Sequence, residues 1–291
     1  MMQKTLVVGA TGVVGSIIAN ILADTGEMPL ALSRKSKSDA AIDWYQGDLA
    51  QIQDLNLPPF ETLICTADAR HLAPAMPCII HPRLRRVVFI TSTSIITKIN
   101  SEVESERESV RAWASAEHQI IRTCEESSIE WTCLRPTLIY AEGRDGNITP
   151  LARLIERFGF MPVVGAAQGL RQPVHAEDVA IAAVSAARER IAANKTYILS
   201  GSEVITYREM VGRIFDALSK RRRIVSVPAP VWKLLFAIAK PLFPGANSAW
   251  GTRMLVDLDF DASTAVRELG WRPRGFHPVF KNGPKTPGPG Q

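Results

Sequence analysis

The chain has 291 residues, 46% of them apolar and 22% charged, with a net charge of +5. That balance excludes a disordered chain and supplies core enough for one large domain or two intimately joined ones. It also excludes a nucleic-acid surface, which needs a broader basic footprint than the short runs at Arg83/Arg85/Arg86 and Lys220–Arg223. No stretch of about 18 residues is continuously apolar, so no spanning helix is expected. The first strand-like run begins almost at Met1 without a charged leader, so a cytoplasmic chain is expected. Four cysteines, at 65, 78, 124 and 133, lack metal-like spacing. Cys65 and Cys133 lie in apolar runs and read as buried thiols of a reducing compartment.

In chain order, Thr5-Leu6-Val7-Val8 reads as a buried strand, followed by Gly9, Gly12 and Gly15 at intervals of three. Val13-Val14, Ile17-Ile18 and Ile21-Leu22 then repeat at helical spacing. A strand turning tightly into a helix leaves N–H groups pointing from the helix start, and glycines let a pyrophosphate approach them. Further strand-like runs cover 29–33, 41–45, 62–66, 87–91 and 131–135. The longest helical pattern spans about 101–127, with Val110, Trp113, Ala114, Glu117, Ile120, Ile121 and Cys124 near one face. Short β-rich runs alternating with helices predict an α/β fold, a doubly wound parallel sheet whose ligand crevice opens at the strands' carboxyl ends.

After Pro136 the pattern is less regular. A Gly/Asp/Asn loop at 142–147 precedes a helix near 149–158, a strand-like 172–175, a helix from Glu177 and a strand at 196–199. The remainder reads as mostly helical, with proline breaks at 228, 230, 241 and 244, and the Pro/Gly-rich end as a frayed tail. Residues 230–244 hold Val231, Trp232, Leu234, Leu235, Phe236, Ile238 and Ala239, too short a run to span a bilayer. The plainer reading packs this helix in the smaller domain. The other exposes 231–243 as a peripheral membrane or dimer contact.

A set of motifs, in order, resembles the extended branch of the short-chain dehydrogenase/reductase superfamily: nucleotide-sugar epimerases and dehydratases with their atypical relatives. Gly9-Ala10-Thr11-Gly12-Val13-Val14-Gly15 resembles the phosphate loop, and Gly47-Asp48-Leu49 the turn after the third strand. Thr91-Ser92-Thr93-Ser94 resembles the Ser-rich strand end, and Leu134-Arg135-Pro136 the end of the sixth strand. Residues 171–180 resemble the late strand-to-helix motif, and 261–273 the closing helix and turn. The resemblance covers about 4–275. It implies a Rossmann-like domain over 1–165 and about 172–200, an interleaved, mostly helical substrate region over about 145–171 and 201–280, and a flexible tail at 281–291. It further implies a cradle of Gly9, Thr11, Gly12, Val13, Val14 and Gly15 around a dinucleotide, and a small-molecule substrate.

At the end of the second strand stand Arg34 and Lys35, where an NAD-preferring site carries an acid for the ribose 2′-OH. A guanidinium grips a 2′-phosphate instead, so NADP is expected over NAD. Asp48, with Leu49, lies beside the adenine in this reading, or else caps the turn.

The superfamily's usual engine is a Tyr-x-x-x-Lys pair with a Ser or Thr at the preceding strand end. Thr93 matches the hydroxyl, but the pair is missing. Aligning Glu117 with the family's Glu puts Ser109 and Trp113 in its places. Tyr140 is the remaining candidate phenol, and His175 reads as mainly structural. On the substrate side, the resemblance puts Arg171 on a diphosphate, with Arg253 as a second clamp and Asn147 in the loop. Two functions follow: an atypical oxidoreductase or epimerase acting on a nucleoside-diphosphate sugar, or a non-catalytic NADPH-binding accessory subunit or redox sensor.

Overall fold

A computed structural model describes residues 4–232 and 249–280. The tail 281–291 and most of the apolar segment 231–243 lie outside the described residues. In chain order the strands are β1 (Thr5–Val8), β2 (Leu30–Ser33), β3 (Asp43–Gln46), β4 (Thr62–Cys65), β5 (Arg86–Ile90), β6 (Glu130–Pro136), β7 (Ile139–Tyr140), β8 (Met161–Val164), β9 (Leu170–Arg171), β10 (Val174–His175), β11 (Lys195–Leu199), β12 (Ile205–Thr206) and β13 (Ile224–Val227). The helices used below are α1 (Val13–Asp24), α2 (Ala69–Ile79), α3 (Ser94–Thr97), α4 (Glu104–Glu126), α5 (Ile148–Phe158), α6 (Ala176–Arg188) and α7 (Tyr207–Ala217).

Seven strands form one sheet in the order β11-β6-β5-β4-β1-β2-β3, every pair parallel. Strand β1 shows why. Leu6 and Val8 point to one face and Val7 to the other, and all three are buried. A strand covered on both faces must be apolar throughout, which is the habit of parallel sheets. On one face, α2 and α4 pack with Leu6, Leu30, Leu63, Leu72, Val87 and Ile120. On the other, α1 and α6 pack with Val7, Ile18, Ile64, Val88, Leu134 and Val179. The chain direction across the sheet reverses between β1 and β4, which puts the ligand crevice at that point.

A third apolar cluster joins α5, α7 and β8 through Ile148, Ile155, Val163, Met210, Ile214 and Phe215. Its short strands pair in twos, β10 with β7, β12 with β9 and β13 with β8. The closing segment is tied back at two places. Asp178, buried at the start of α6, accepts from the Arg274 backbone N–H (2.9 Å) and Nε (3.0 Å), while Trp271 donates to its carbonyl (2.8 Å). Farther along, Gly169 N–H donates to the Met254 carbonyl and Leu258 N–H to that of Leu170.

The sequence-predicted strands at 5–9, 29–33, 62–66, 87–91, 131–135 and 196–199 coincide with β1, β2, β4, β5, β6 and β11. The run at 41–45 is displaced by one or two residues in β3. Helix α2 was not expected: Pro74 and Pro77 lie inside it, although its buried Ala69, Leu72, Ala73, Met76 and Ile79 recur at helical spacing. It survives because Asp68 caps its start, accepting from Arg70 N–H (2.9 Å), and its apolar side is buried against α4.

Candidate functional site

The turn from β1 into α1 lies at the sheet's switch point. Gly9 has φ +80°, the left-handed region that a side chain disfavours. Gly12 N–H donates to the Gly9 carbonyl (2.9 Å), closing the turn. Gly15 is needed for a different reason: a Cβ there would fall inside contact distance of the Gly9 carbonyl. From the neighbouring strand end, Thr66 Oγ1 donates to the carbonyls of Val8 and Gly9, both at 3.2 Å, fixing the loop from below.

Gly12 caps α1 without a side-chain hydrogen bond, and the first turn holds no acid. The first N–H groups of a helix have no intrahelical acceptor. With exposed Thr11 and Gly12 and half-buried Val13 and Val14 around them, they form an open positive end. A Cβ on Gly12 would meet only the Gly9 carbonyl, at 3.2 Å, so the space above the turn is free for a ligand. This cradle fits a dinucleotide's pyrophosphate.

Arg34 and Lys35 follow β2 and are exposed, and no described residue pairs with either side chain. Lys35 N–H donates to Ser33 Oγ (3.2 Å), and the Arg34 carbonyl accepts from Gln46 (3.3 Å), which holds the backbone while leaving the guanidinium out. Asp48 caps the 3-10 turn that follows β3, accepting from Ala50 N–H at 3.0 Å. Leu49 is buried in the core against α2.

Beyond the carboxyl ends of β5 and β6, the two expected catalytic hydroxyls are committed. Thr93 is 6% exposed, and its hydroxyl donates to the Pro136 carbonyl (3.2 Å). Tyr140 is 1% exposed, its ring edge-on to His175 and Phe276, with its hydroxyl 3.4 Å from the Gly275 carbonyl. Burial, then the nearby Glu142 charge, pushes its phenol well above the ordinary range. His175 caps α6 by accepting from Glu177 N–H through Nδ1 (3.2 Å), with Nε2 3.3 Å from Glu142.

On α4, Trp113 Nε1 donates to Asp68 (3.2 Å), and Arg70 both pairs with Asp68 and covers the indole ring. Burial opposes ionisation of Asp68, but these hydrogen bonds and the Arg70 charge outweigh it, holding the carboxyl at about 2. Glu117 is buried and accepts from Thr91 (3.0 Å) and from Arg135.

The expected substrate-side residues lie in braces. Arg171 is 4% exposed, and its guanidinium donates to the carbonyls of Leu170 (2.5 Å), Val256 (2.8 Å) and Arg253, above the Tyr207 ring. Arg253 pairs with Glu106, which also accepts from Ser101 (2.7 Å) and lies 3.7 Å from Lys98. Burial and then the Arg253 charge lower the Lys98 pKa, against the pull of Glu106. Asn147 is exposed, but its amide donates to the Ile139 carbonyl (2.8 Å). Sequence reasoning missed the groups on Asp68 and Glu106. Asp68 with Arg70 and Glu106 with Ser101 are local pairs, but Trp113 and Arg253 join them from distant elements, and no local spacing announces that meeting.

No protein-family model matches the chain. Among curated proteins, NADH dehydrogenase (ubiquinone) 1 alpha subcomplex subunit 9, mitochondrial, of Arabidopsis thaliana is 26% identical over 272 residues, 82% of this chain and 65% of its own length. UDP-glucose 4-epimerase of Vibrio cholerae is 27% identical over 160 residues, 55% of this chain and 47% of its own. The chain thus spans less than two thirds of either relative. The UDP-glucose 4-epimerase of Thermotoga maritima, solved with UDP-glucose, superposes with a TM-score of 0.71 at 16% identity, over 93% of this chain and 94% of that one. UDP-glucuronic acid 4-epimerase from Bacillus cereus, in complex with NAD, gives 0.70 at 13% identity, also over 93% and 94%. The structural likeness shows the fold, the curated relatives share it in sequence, and the motifs occur in order. The chain shares the fold of these epimerase structures and is similar in sequence to the two curated relatives, and none of its four tyrosines is followed by a lysine four residues on.

Proposed function

We propose that this chain holds NADP(H) without the superfamily's usual turnover, as an accessory subunit or redox sensor. One contrast carries the proposal: the phosphate end of the crevice is open, while Thr93 and Tyr140 at its other end are bonded to backbone carbonyls. Gly9, Thr11, Gly12, Val13, Val14 and Gly15 take the pyrophosphate, and Arg34 with Lys35 takes the 2′-phosphate. Asp48 and Leu49 border the adenine side. A bound nicotinamide supplies a hydride donor or acceptor. Moving that hydride to or from a sugar carbon also requires a proton at the sugar oxygen. Thr93 and Tyr140 are the hydroxyls at hand for that proton, and each donates to a backbone carbonyl instead. The Arabidopsis relative, named as a subunit of a larger complex, aligns with 82% of the chain and supports an accessory role.

The Vibrio relative favours a second reading, an oxidoreductase or epimerase acting on a nucleoside-diphosphate sugar. It would need Thr93 and Tyr140 to exchange their present partners for substrate. It would also need Asn147, Arg171 and Arg253 to face a ligand. Mixing NADPH-loaded protein with UDP-glucose and related sugar nucleotides separates the readings. The expected result is unchanged nicotinamide absorbance and unchanged sugar. Steady turnover that falls in Thr93→Val would overturn the proposal in favour of the enzyme.

A further inference from the structure

Arg144 lies in the loop between β7 and α5, far in sequence from the phosphate turn, yet its Nη2 donates to Ser16 Oγ at 2.9 Å. Ser16 belongs to the first turns of α1, where it donates to the Val13 carbonyl (3.0 Å). This bond brings the loop against the first turns of α1.

The loop is built to hold that position. Asp145 accepts from the N–H groups of Ala141 (3.2 Å), Asn147 (2.7 Å), Ile148 (2.5 Å) and Thr149 (3.2 Å), and from the Thr149 hydroxyl (2.6 Å). Thr149 Oγ1 in turn accepts from Gly143 N–H (2.9 Å), and Arg144 N–H donates to the Ala141 carbonyl (2.9 Å). One carboxylate thus organises the whole turn and is consumed in doing so. Glu142 is likewise engaged, with His175 and with Val279 N–H.

Arg144 is exposed, and among the described residues its guanidinium forms no ion pair. It is held by one hydrogen bond to Ser16, the fourth residue of α1, whose first turn carries no acid. A helix start favours anions, so a cation held this close to it suits an anion bound there.

We infer that Arg144 is a clamp for the cofactor's pyrophosphate, beside the glycine turn. The inference rests on the dinucleotide reading above and assigns it a residue outside the glycine motif. Arg34 and Arg144 then divide the ligand: Arg34 meets the 2′-phosphate that distinguishes NADP from NAD, and Arg144 meets the diphosphate that both share.

Fluorescence titration of the full chain with NADPH, NADH and ADP-ribose tests this. Arg144→Ala should weaken all three by a similar factor, roughly ten- to a hundred-fold for a lost charge-assisted contact. The NADPH-to-NADH ratio should stay constant, and binding should become less sensitive to salt. Arg144→Lys should keep part of the affinity, and Arg144→Gln should behave as Ala does. A merely structural arginine would lower the melting temperature and leave all three affinities alone, which would overturn the clamp while the cofactor reading stood. If the wild type binds none of the three, both fall.

Discussion

Trp113 stands where the extended superfamily's lysine is expected, and its indole N–H is committed to Asp68. That carboxylate ties the start of α2 to α4 immediately beyond β4, next to the loop that steadies the glycine turn. Its pKa of about 2 lies below the ordinary 3.8, so its contribution to stability is full above pH 4 and lost as pH falls through about 2. Asp68→Asn should therefore lower the melting temperature at neutral pH and show a shallower loss of stability between about pH 4 and 2. Thermal melts across that range check both signs. The glycines were legible because each answers a backbone demand that the motif itself encodes. Trp113 was legible only as an absence, since no local pattern shows which carboxylate an indole will meet.

At the scale of elements, Arg171, expected to grip a substrate, instead holds the closing segment. Arg171 on β9 reaches carbonyls more than eighty residues downstream, at Arg253 and Val256. Carbonyls carry no sequence identity, so a motif that resembles a ligand arginine cannot reveal that its partner is backbone. Removing the guanidinium would leave those acceptors buried, at about 1–3 kcal/mol for each. Arg171→Met should accordingly destabilise the protein by about 3 kcal/mol, measured by denaturant unfolding, without weakening NADPH. Helix α2 makes a related point: its prolines obscure a helix that is capped locally by Asp68 and buried against α4. The two-residue strands β7, β9 and β12 were invisible because pairs of residues have no period to detect, whereas β10 falls inside the strand-like run at 172–175.

Across the whole molecule, the doubly wound sheet was legible because strands buried on both faces write unbroken apolar runs. The position of the crevice then followed from strand order. Whether the crevice does chemistry was not legible, because it depends on hydrogen bonds between groups distant in sequence. The molecule combines an open glycine turn with internally bonded Thr93 and Tyr140, and the proposal joining these is that it holds NADP(H). The most direct measurement is a calorimetric titration of wild type and Arg34→Ala with NADPH and NADH. The wild type should bind NADPH roughly ten- to a hundred-fold more tightly than NADH, and Arg34→Ala should lose most of that preference. Equal affinities in the wild type, or no binding of either dinucleotide, would contradict the account.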